Sequence, residues 1–221
     1  MLYVIATPIG NLEDITLRAI RVLGEVDFIL AEDTRKTGVL LSRLNIKKKL
    51  VSFFEHNEEK KIPQVIEQLS RGKNIALVSS AGTPTISDPG YKLIREARKQ
   101  GFNITSIPGP SSILNALAVT SIAHDKFFFL GYMPKKKSAR KKMFEQAKQS
   151  KATFIFLESP FRIQSTLQDL KNVFGNSRVA LAREMTKKFE EVLEANVDEA
   201  LEKLKERKPR GEYTVIVDNK D

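Results

Sequence analysis

The sequence predicts an α/β protein built as two lobes with a cleft between them. Short apolar runs alternate with amphipathic helical runs along almost the whole chain, which is the pattern of a mostly parallel sheet covered by helices on both faces. A length of 221 residues suits one large domain or two small ones. The alternation is interrupted once, by "HDKFFFLGYMPKKK" from His124, which reads as a connecting strand and linker. The expected domains are therefore 1–123 and 124–221.

Each element has its own signal. "LYVIAT" (Leu2 to Thr7) is a continuous buried-strand run. "TLRAIRVLGEV" places apolar residues at helical spacing behind Thr16, a hydroxyl suited to an N-cap. "DFILAED" and "TRKTGVLLSRL" repeat the strand and helix, and "LVSFF" is a third strand. "NEEKKIPQVIEQLSRG" is a helix in which Pro63 is either a kink or the mark of the first turn, with Gly72 as its stop. The strand "NIALVSS" leads to the helix "PGYKLIREARKQG", and "FNITSIPG" leads to "SSILNALAVTSI". The second half runs as helix "ARKKMFEQAKQ", strand "ATFIFLE", helix "PFRIQSTLQDLKNVFG" and strand "SRVALARE". It continues with the partly alternating "FEEVLEANV", the helix "DEALEKLKER" and a closing strand "EYTVIVD".

Composition removes several function classes. Cysteine is absent, so there are no disulfides or thiolate metal sites, and His56 and His124 alone leave too few imidazoles for a histidine metal centre. No metal is expected. No apolar run approaches the ~20 residues that span a bilayer, and "MLYVIATPIGN" lacks the basic start of a signal peptide. A cytoplasmic protein without a membrane partner is expected. The net charge of +10, with 37 Lys and Arg against 27 Asp and Glu, favours a polyanionic partner. "PKKKSARKK" (Pro134 to Lys142) concentrates six cations with no acid: Lys135, Lys136, Lys137, Arg140, Lys141 and Lys142. "NIKKKL" and "KLKERKPRGE" are smaller clusters.

Chemistry is expected at strand ends. "TPIGNLEDIT" follows the first strand with one glycine only, so it is no dinucleotide fingerprint. "VSSAGTPTISDPG" (Val78 to Gly90) is longer than the usual two to six residues of such a junction. It is rich in hydroxyls, holds Gly82 and Gly90, and contains no Lys or Arg. That composition disfavours a triphosphate and tolerates a neutral or cationic ligand. "SIPGPSSI" offers Ser111 or Ser112 as a helix cap. "FLESPFR" and "LAREMTKKFEE" set Glu158, Arg162, Arg183, Glu184 and Lys187 at the ends of two further strands.

These stretches in this order, from "ATPIGNLEDIT" and "AEDTRKTGVLL" through "ALVSSAGTPTISDPG" and "PGPSS" to "ESPFR", "AREMTK" and "GEYTVIV", resemble the ribosomal RNA small subunit methyltransferase I family of the tetrapyrrole methylase superfamily. The resemblance runs from Leu2 to about Val217. It implies a tetrapyrrole-methylase-like fold of two α/β domains, S-adenosylmethionine bound in the cleft between them, and a homodimer. It also implies methylation of the ribose 2′-oxygen of a decoding-centre cytidine in small-subunit (16S) ribosomal RNA or the 30S particle. Other superfamily members methylate tetrapyrroles, so a precorrin-type small-molecule methylase is one alternative, and a non-catalytic RNA-binding assembly factor is another. The chain departs from the family in carrying Ser80 where "SDAGTP" is more usual, and in ending at Asp221 where many members continue.

On this resemblance the cofactor loops are Pro8 to Leu12, Ser80 to Ser87 and Pro108 to Ser112. The residues assigned to the cofactor are Pro8, Gly10, Ser80, Gly82, Thr83, Ile86, Ser111, Ser112 and Ala182. A ribose hydroxyl is a poor acid, so a base or a cation that stabilises the forming alkoxide helps. Glu158 and Glu184 are the candidate bases, and Arg183 and Lys187 the candidate electrostatic groups. The "PKKKSARKK" run is the candidate RNA contact.

Overall fold

In the computed structural model, residues 1–206 and 210–219 are described; Arg207 and Lys208 of the last basic cluster lie outside them. Backbone contacts divide the chain into Met1–Ser111 and Ser112–Asp221, whereas the sequence reading drew the division after Ala123. The helix after Ser111 packs on the last strand of the second unit.

The first unit contains β1 (Leu2–Ile5), α1 (Leu17–Glu25), β2 (Phe28–Ala31), α2 (Thr34–Arg43), β3 (Lys49–Ser52), α3 (Glu58–Ser70), β4 (Ile75–Val78), α4 (Tyr91–Lys99) and β5 (Ile104–Ile107). Every strand pair is parallel, in the order β3-β2-β4-β1-β5. The alternation of side chains along β4 builds two cores. Ala76 and Val78 pack with Val22 and Leu23 of α1 and Leu41 of α2. Ile75 and Leu77 pack with Val65 and Leu69 of α3 and Leu93 of α4. Helices therefore cover both faces, as the alternating pattern requires.

Local signals act where the sequence puts them. Thr16 caps α1 by accepting from the Ala19 amide at 3.1 Å, and Asp33 caps α2 by accepting from the Arg35 and Lys36 amides. Gly72, at φ +79°, closes α3: its amide donates to Leu69 O while Lys73 N donates to Gln68 O, the paired bonds of a Schellman stop. Pro63 lies inside α3, beyond the first turn that begins at Glu58.

The second unit contains α5 (Ser112–Ala118), β6 (Phe127–Tyr132), α6 (Lys137–Gln149), β7 (Thr153–Glu158), α7 (Ile163–Phe174), β8 (Arg178–Arg183), β9 (Glu191–Asn196), α8 (Val197–Lys205) and β10 (Tyr213–Val217). The strand order is β6-β7-β10-β8-β9. The segment from His124 holds the expected strand, Phe127–Tyr132, which pairs with β7 at the edge of this sheet. One expectation is corrected here. The sheet is not mostly parallel: only β6 and β7 run together, while β10 is antiparallel to β7 and β8, and β8 to β9. One face carries the core of this unit, where Phe144, Phe154, Phe156 and Phe174 pack with Leu167, Val215 and Leu204.

Candidate functional site

In the first unit all five strands end on one edge, so the loops after them share that edge. The connections leaving β1 and β4 run in opposite directions over neighbouring strands, which makes their carboxyl ends the switch point where open α/β sheets bind ligands. There the loops are pinned to each other. Thr7 and Gly82 exchange two backbone hydrogen bonds of 2.9 Å, and the Thr7 hydroxyl donates to Ser79 O at 3.3 Å. The Ser80 amide donates to Glu32 Oε2 at 2.9 Å, across from the end of β2. The Gly90 amide donates to Glu58 Oε2 at 3.2 Å.

Glycine is favoured at two of these points. Gly82 sits at φ +76°, a region that costs other residues about 1–2 kcal/mol. Gly90 sits at φ +120°, and a Cβ there would lie 2.6 Å from Leu77 Cδ2. Between them Thr85 and Ser87 hold positive φ of 74° and 65° without being glycine. A β-branched residue in that region is a true outlier, and such strain gathers where a loop is held in shape for a ligand. Gly109 approaches β1 so closely that a Cβ would lie 3.0 Å from the Ala6 Cβ.

The charge on this edge is unlike that of the whole chain. The loops 7–16, 32–33, 53–57, 79–90 and 108–111 hold no Lys or Arg, yet carry Glu13, Asp14, Glu32, Asp33, Glu55 and Asp88. Asp14 Oδ2 is buried without a hydrogen-bond partner, an acceptor suited to a donor from a bound molecule. An acidic, hydroxyl-rich edge with close backbone approach fits a cationic ligand such as a sulfonium and repels a phosphate. Pro8, Gly10, Ser80, Gly82, Thr83, Ile86 and Ser111 all lie on these loops. Ser112 opens α5.

In the second unit β6, β7 and β8 end, and β9 and β10 begin, along one edge. Glu158 closes β7 with its side chain fully buried. Its Oε1 accepts from the Ser159 amide and from Arg162 Nε, both at 2.8 Å, and its Oε2 from the Thr166 hydroxyl at 2.7 Å. Arg162 in turn donates to Met133 O at 2.7 Å. Beyond β8, Glu184 adopts φ 52° and its Oε1 accepts from Lys187 Nζ at 2.8 Å and from the Glu212 amide at 3.2 Å. The Lys187 ammonium holds the Glu184 carboxyl below the usual glutamate range, aided by the Glu212 amide and against the opposing effect of burial. Arg183 pairs with Glu191 at 3.3 Å, while its Nε is buried without a partner. Ala182 is buried on β8, opposite Thr214 of β10.

The basic run divides in two. Lys135, Lys136, Lys137, Lys141 and Lys142 are exposed. Arg140 is only 5% exposed; its Nε donates to Asp169 at 2.8 Å and its Nη1 to Pro134 O at 3.2 Å. Lys47 and Lys48 line a groove of about 510 Å³ with Asn45 and Leu50. They lead into β3 and so lie at the opposite edge from the acidic loops. Lys203 and Lys205 are paired with Glu199 and Glu202 on α8.

Residues 1–201 match the family model described as Tetrapyrrole (Corrin/Porphyrin) Methylases. The protein named ribosomal RNA small subunit methyltransferase I from Thermotoga maritima is 45% identical over 220 residues, covering 100% of this chain and 99% of that one. The chain belongs to the ribosomal RNA small subunit methyltransferase I family. The protein of the same name from Halalkalibacterium halodurans is 46% identical over 217 residues, which are 98% of this chain and 75% of the relative. Among solved structures, uroporphyrin-III C-methyltransferase from Thermus thermophilus complexed with S-adenosyl homocysteine has a TM-score of 0.64 at 15% identity. That match covers 97% of this chain and 91% of the other, and shows the shared fold.

For this member of the ribosomal RNA small subunit methyltransferase I family, two of the sequence candidates are held inward. Glu158 has both its oxygens occupied and its side chain buried, so in this structure it acts as a clamp on its neighbours. Arg140 has its guanidinium buried against Asp169, apart from the exposed lysines of its run. Sequence reasoning also passed over Glu32 and Glu58. Glu32 stands in the "AEDTR" stretch, but only the pairing of β2 with β4 sets it beside Ser80. A carboxylate thus reaches the Ser80 position from a neighbouring strand.

Proposed function

We propose that this protein is an S-adenosylmethionine-dependent methyltransferase acting on small-subunit ribosomal RNA, with the ribose 2′-oxygen of a decoding-centre cytidine as acceptor. The observation that carries this reading is full-length identity of about 45% to proteins of that name. The two charged edges support it. An acidic edge in the first unit suits a cationic donor, and a basic edge in the second suits a polyanion.

S-adenosylmethionine would supply, when bound, an electrophilic methyl group on a cationic sulfur, the sulfur leaving as a neutral thioether and the acceptor hydroxyl losing its proton to water. The residues that would hold it are Gly82, Thr83 and Ile86 on the strained loop, with Pro8, Gly10, Ser80 and Ser111 on the same edge and Ser112 and Ala182 assigned by the family pattern. Fixed loops of this kind act by positioning, which contributes several kcal/mol to bringing donor and acceptor together. The Glu184 carboxylate, held ionised by Lys187, orients that ammonium and accepts a hydrogen bond more readily than a proton. Lys187 and Arg183 are the cations of this unit that would stabilise negative charge developing on an acceptor oxygen. Exposed Lys135, Lys136, Lys137, Lys141 and Lys142 would contact phosphates. The family resemblance further implies a homodimer and a cytoplasmic location.

The experiment is transfer of labelled methyl from S-adenosylmethionine to small-subunit particles, followed by digestion to nucleosides. A 2′-O-methylcytidine product supports the full reading. Label on a base keeps the RNA methyltransferase and removes the ribose assignment. Transfer to a precorrin-type acceptor instead, or no cofactor binding by calorimetry, overturns it.

A further inference from the structure

Two phenylalanine rings stand out on the basic edge of the second unit. Phe161 is 83% exposed and Phe189 is 68% exposed. Single exposed apolar residues are ordinary on a protein surface, but these two are presented rather than scattered. Phe161 sits in the turn from Ser159 to Arg162, closed by the Arg162 amide donating to Ser159 O at 3.1 Å. Buried Glu158 grips that turn at both ends, through the Ser159 amide and the Arg162 guanidinium, and Arg162 is tied on to Met133 O. Phe189 lies in the connection from β8 to β9, where Lys187 N donates to Glu184 O and Glu190 N donates to Lys187 O. Lys188 Nζ stands 5.8 Å from the Phe189 ring centroid.

β7 and β8 flank β10, so the two loops leave the sheet about 10 Å apart at ordinary strand spacing. The described residues of the loops on this edge include Lys135, Lys136, Arg162, Lys187, Lys188 and Arg210 against Glu184, Glu190, Glu206 and Glu212. Exposed rings carried on hydrogen-bonded turns among cations are the composition of a surface that stacks unpaired bases while neutral or positive neighbours hold the phosphates. A turn whose backbone is already tied down loses less entropy on binding than a free loop.

We propose that Phe161 and Phe189 form a stacking platform for unpaired nucleotides of the RNA substrate, displayed by the Glu158 and Glu184 networks. The proposal rests on the RNA reading above and adds to it a binding surface and a strand state: the recognised segment is single-stranded. Glu158 is the clamp of the turn that displays Phe161.

The test compares the full-length protein with Phe161→Leu, Phe189→Leu, the double variant and Phe161→Trp. Affinity is measured for a labelled single-stranded oligoribonucleotide and for the same sequence annealed to its complement, each across a salt series. Each leucine variant is expected to weaken single-strand binding about five- to ten-fold. Phe161→Trp is expected to retain it. The slope of log Kd against log salt is expected to stay that of the parent, because no phosphate contact is removed. Both rings are at the surface, so the thermal midpoint is expected to stay put. Parental affinity in the double variant overturns the proposal. So does equal weakening for duplex and single strand. So does a fall in molecular mass by light scattering with RNA affinity unchanged, which assigns the rings to contact with a second copy of the chain. If the parent itself neither binds RNA nor methylates small-subunit particles, the RNA reading fails first and the platform with it.

Discussion

Glu158 has two carboxylate oxygens and both are taken, by an amide, a guanidinium and a hydroxyl. Its replacement is a structural experiment. Glu158→Gln trades a charged acceptor for a neutral one beside Arg162, and is expected to lower unfolding free energy in urea by about 2 kcal/mol. Glu184 behaves differently. Its carboxyl is held low by the Lys187 hydrogen bond first, with the Glu212 amide adding to it. A depressed folded value means that the charged form stabilises the fold above the unfolded glutamate range, and that this stabilisation is lost as pH falls through the folded value. The parent is therefore expected to melt above Glu184→Gln at neutral pH, with the gap closing below the usual glutamate range. A constant gap down to strong acid contradicts the assignment. At Gly90, both the backbone angle and the Leu77 contact oppose any Cβ. Gly90→Ala is expected to cost about 3 kcal/mol, read by urea midpoint.

At the scale of elements, α6 begins with a charge pattern that works against itself. Lys135, Lys136 and Lys137 stand at its amino end, where the helix dipole already presents positive charge, and its first turn holds no acid. A bound phosphate relieves both. Lys135→Glu with Lys136→Glu is expected to reduce the slope of log Kd against log salt for single-stranded RNA by about 1.4, while raising the melting temperature slightly through the dipole. Elements were highly legible in this sequence, because apolar period and cap residues agree at α1, α2 and α3. Arg140 was legible too, had its helical position outweighed its neighbours. Arg140, Phe144 and Ala147 fall at the spacing of one buried stripe, and Asp169 faces it from the buried side of α7. The run of cations hid an interior residue. Strand order was not legible, because a chain that alternates strand and helix reads as parallel, and nothing local in "EYTVIVD" says that it pairs between β7 and β8. The turn from β8 to β9 was also hidden, since its positive φ angles fall on Glu184 and Thr186 rather than on glycine.

Across the whole molecule, a chain of net charge +10 keeps one sheet edge without a single Lys or Arg in its loops. Composition pointed toward a polyanion partner, but the acidic exception emerged only once five strands were known to end together. The candidate site was thus half visible: its loops stood out by content, their mutual pinning through Glu32, Glu58 and Thr7 did not. Removing residues from Tyr213 onward is expected to abolish the cooperative melting of the second unit while the first keeps its own transition, as followed by proteolysis and calorimetry. The strand lost in that truncation has one more consequence. β10 is last in the chain yet central in its sheet, between β7 and β8. During synthesis the first sheet is complete once β5 has emerged, whereas β7 and β8 wait, unjoined, for the final strand. Domains fold from the amino end as they are made. The unit that carries the acidic loop edge is thus positioned to fold first, while the second unit holds only the separate pairs β6-β7 and β8-β9 until translation of Tyr213–Val217 joins them.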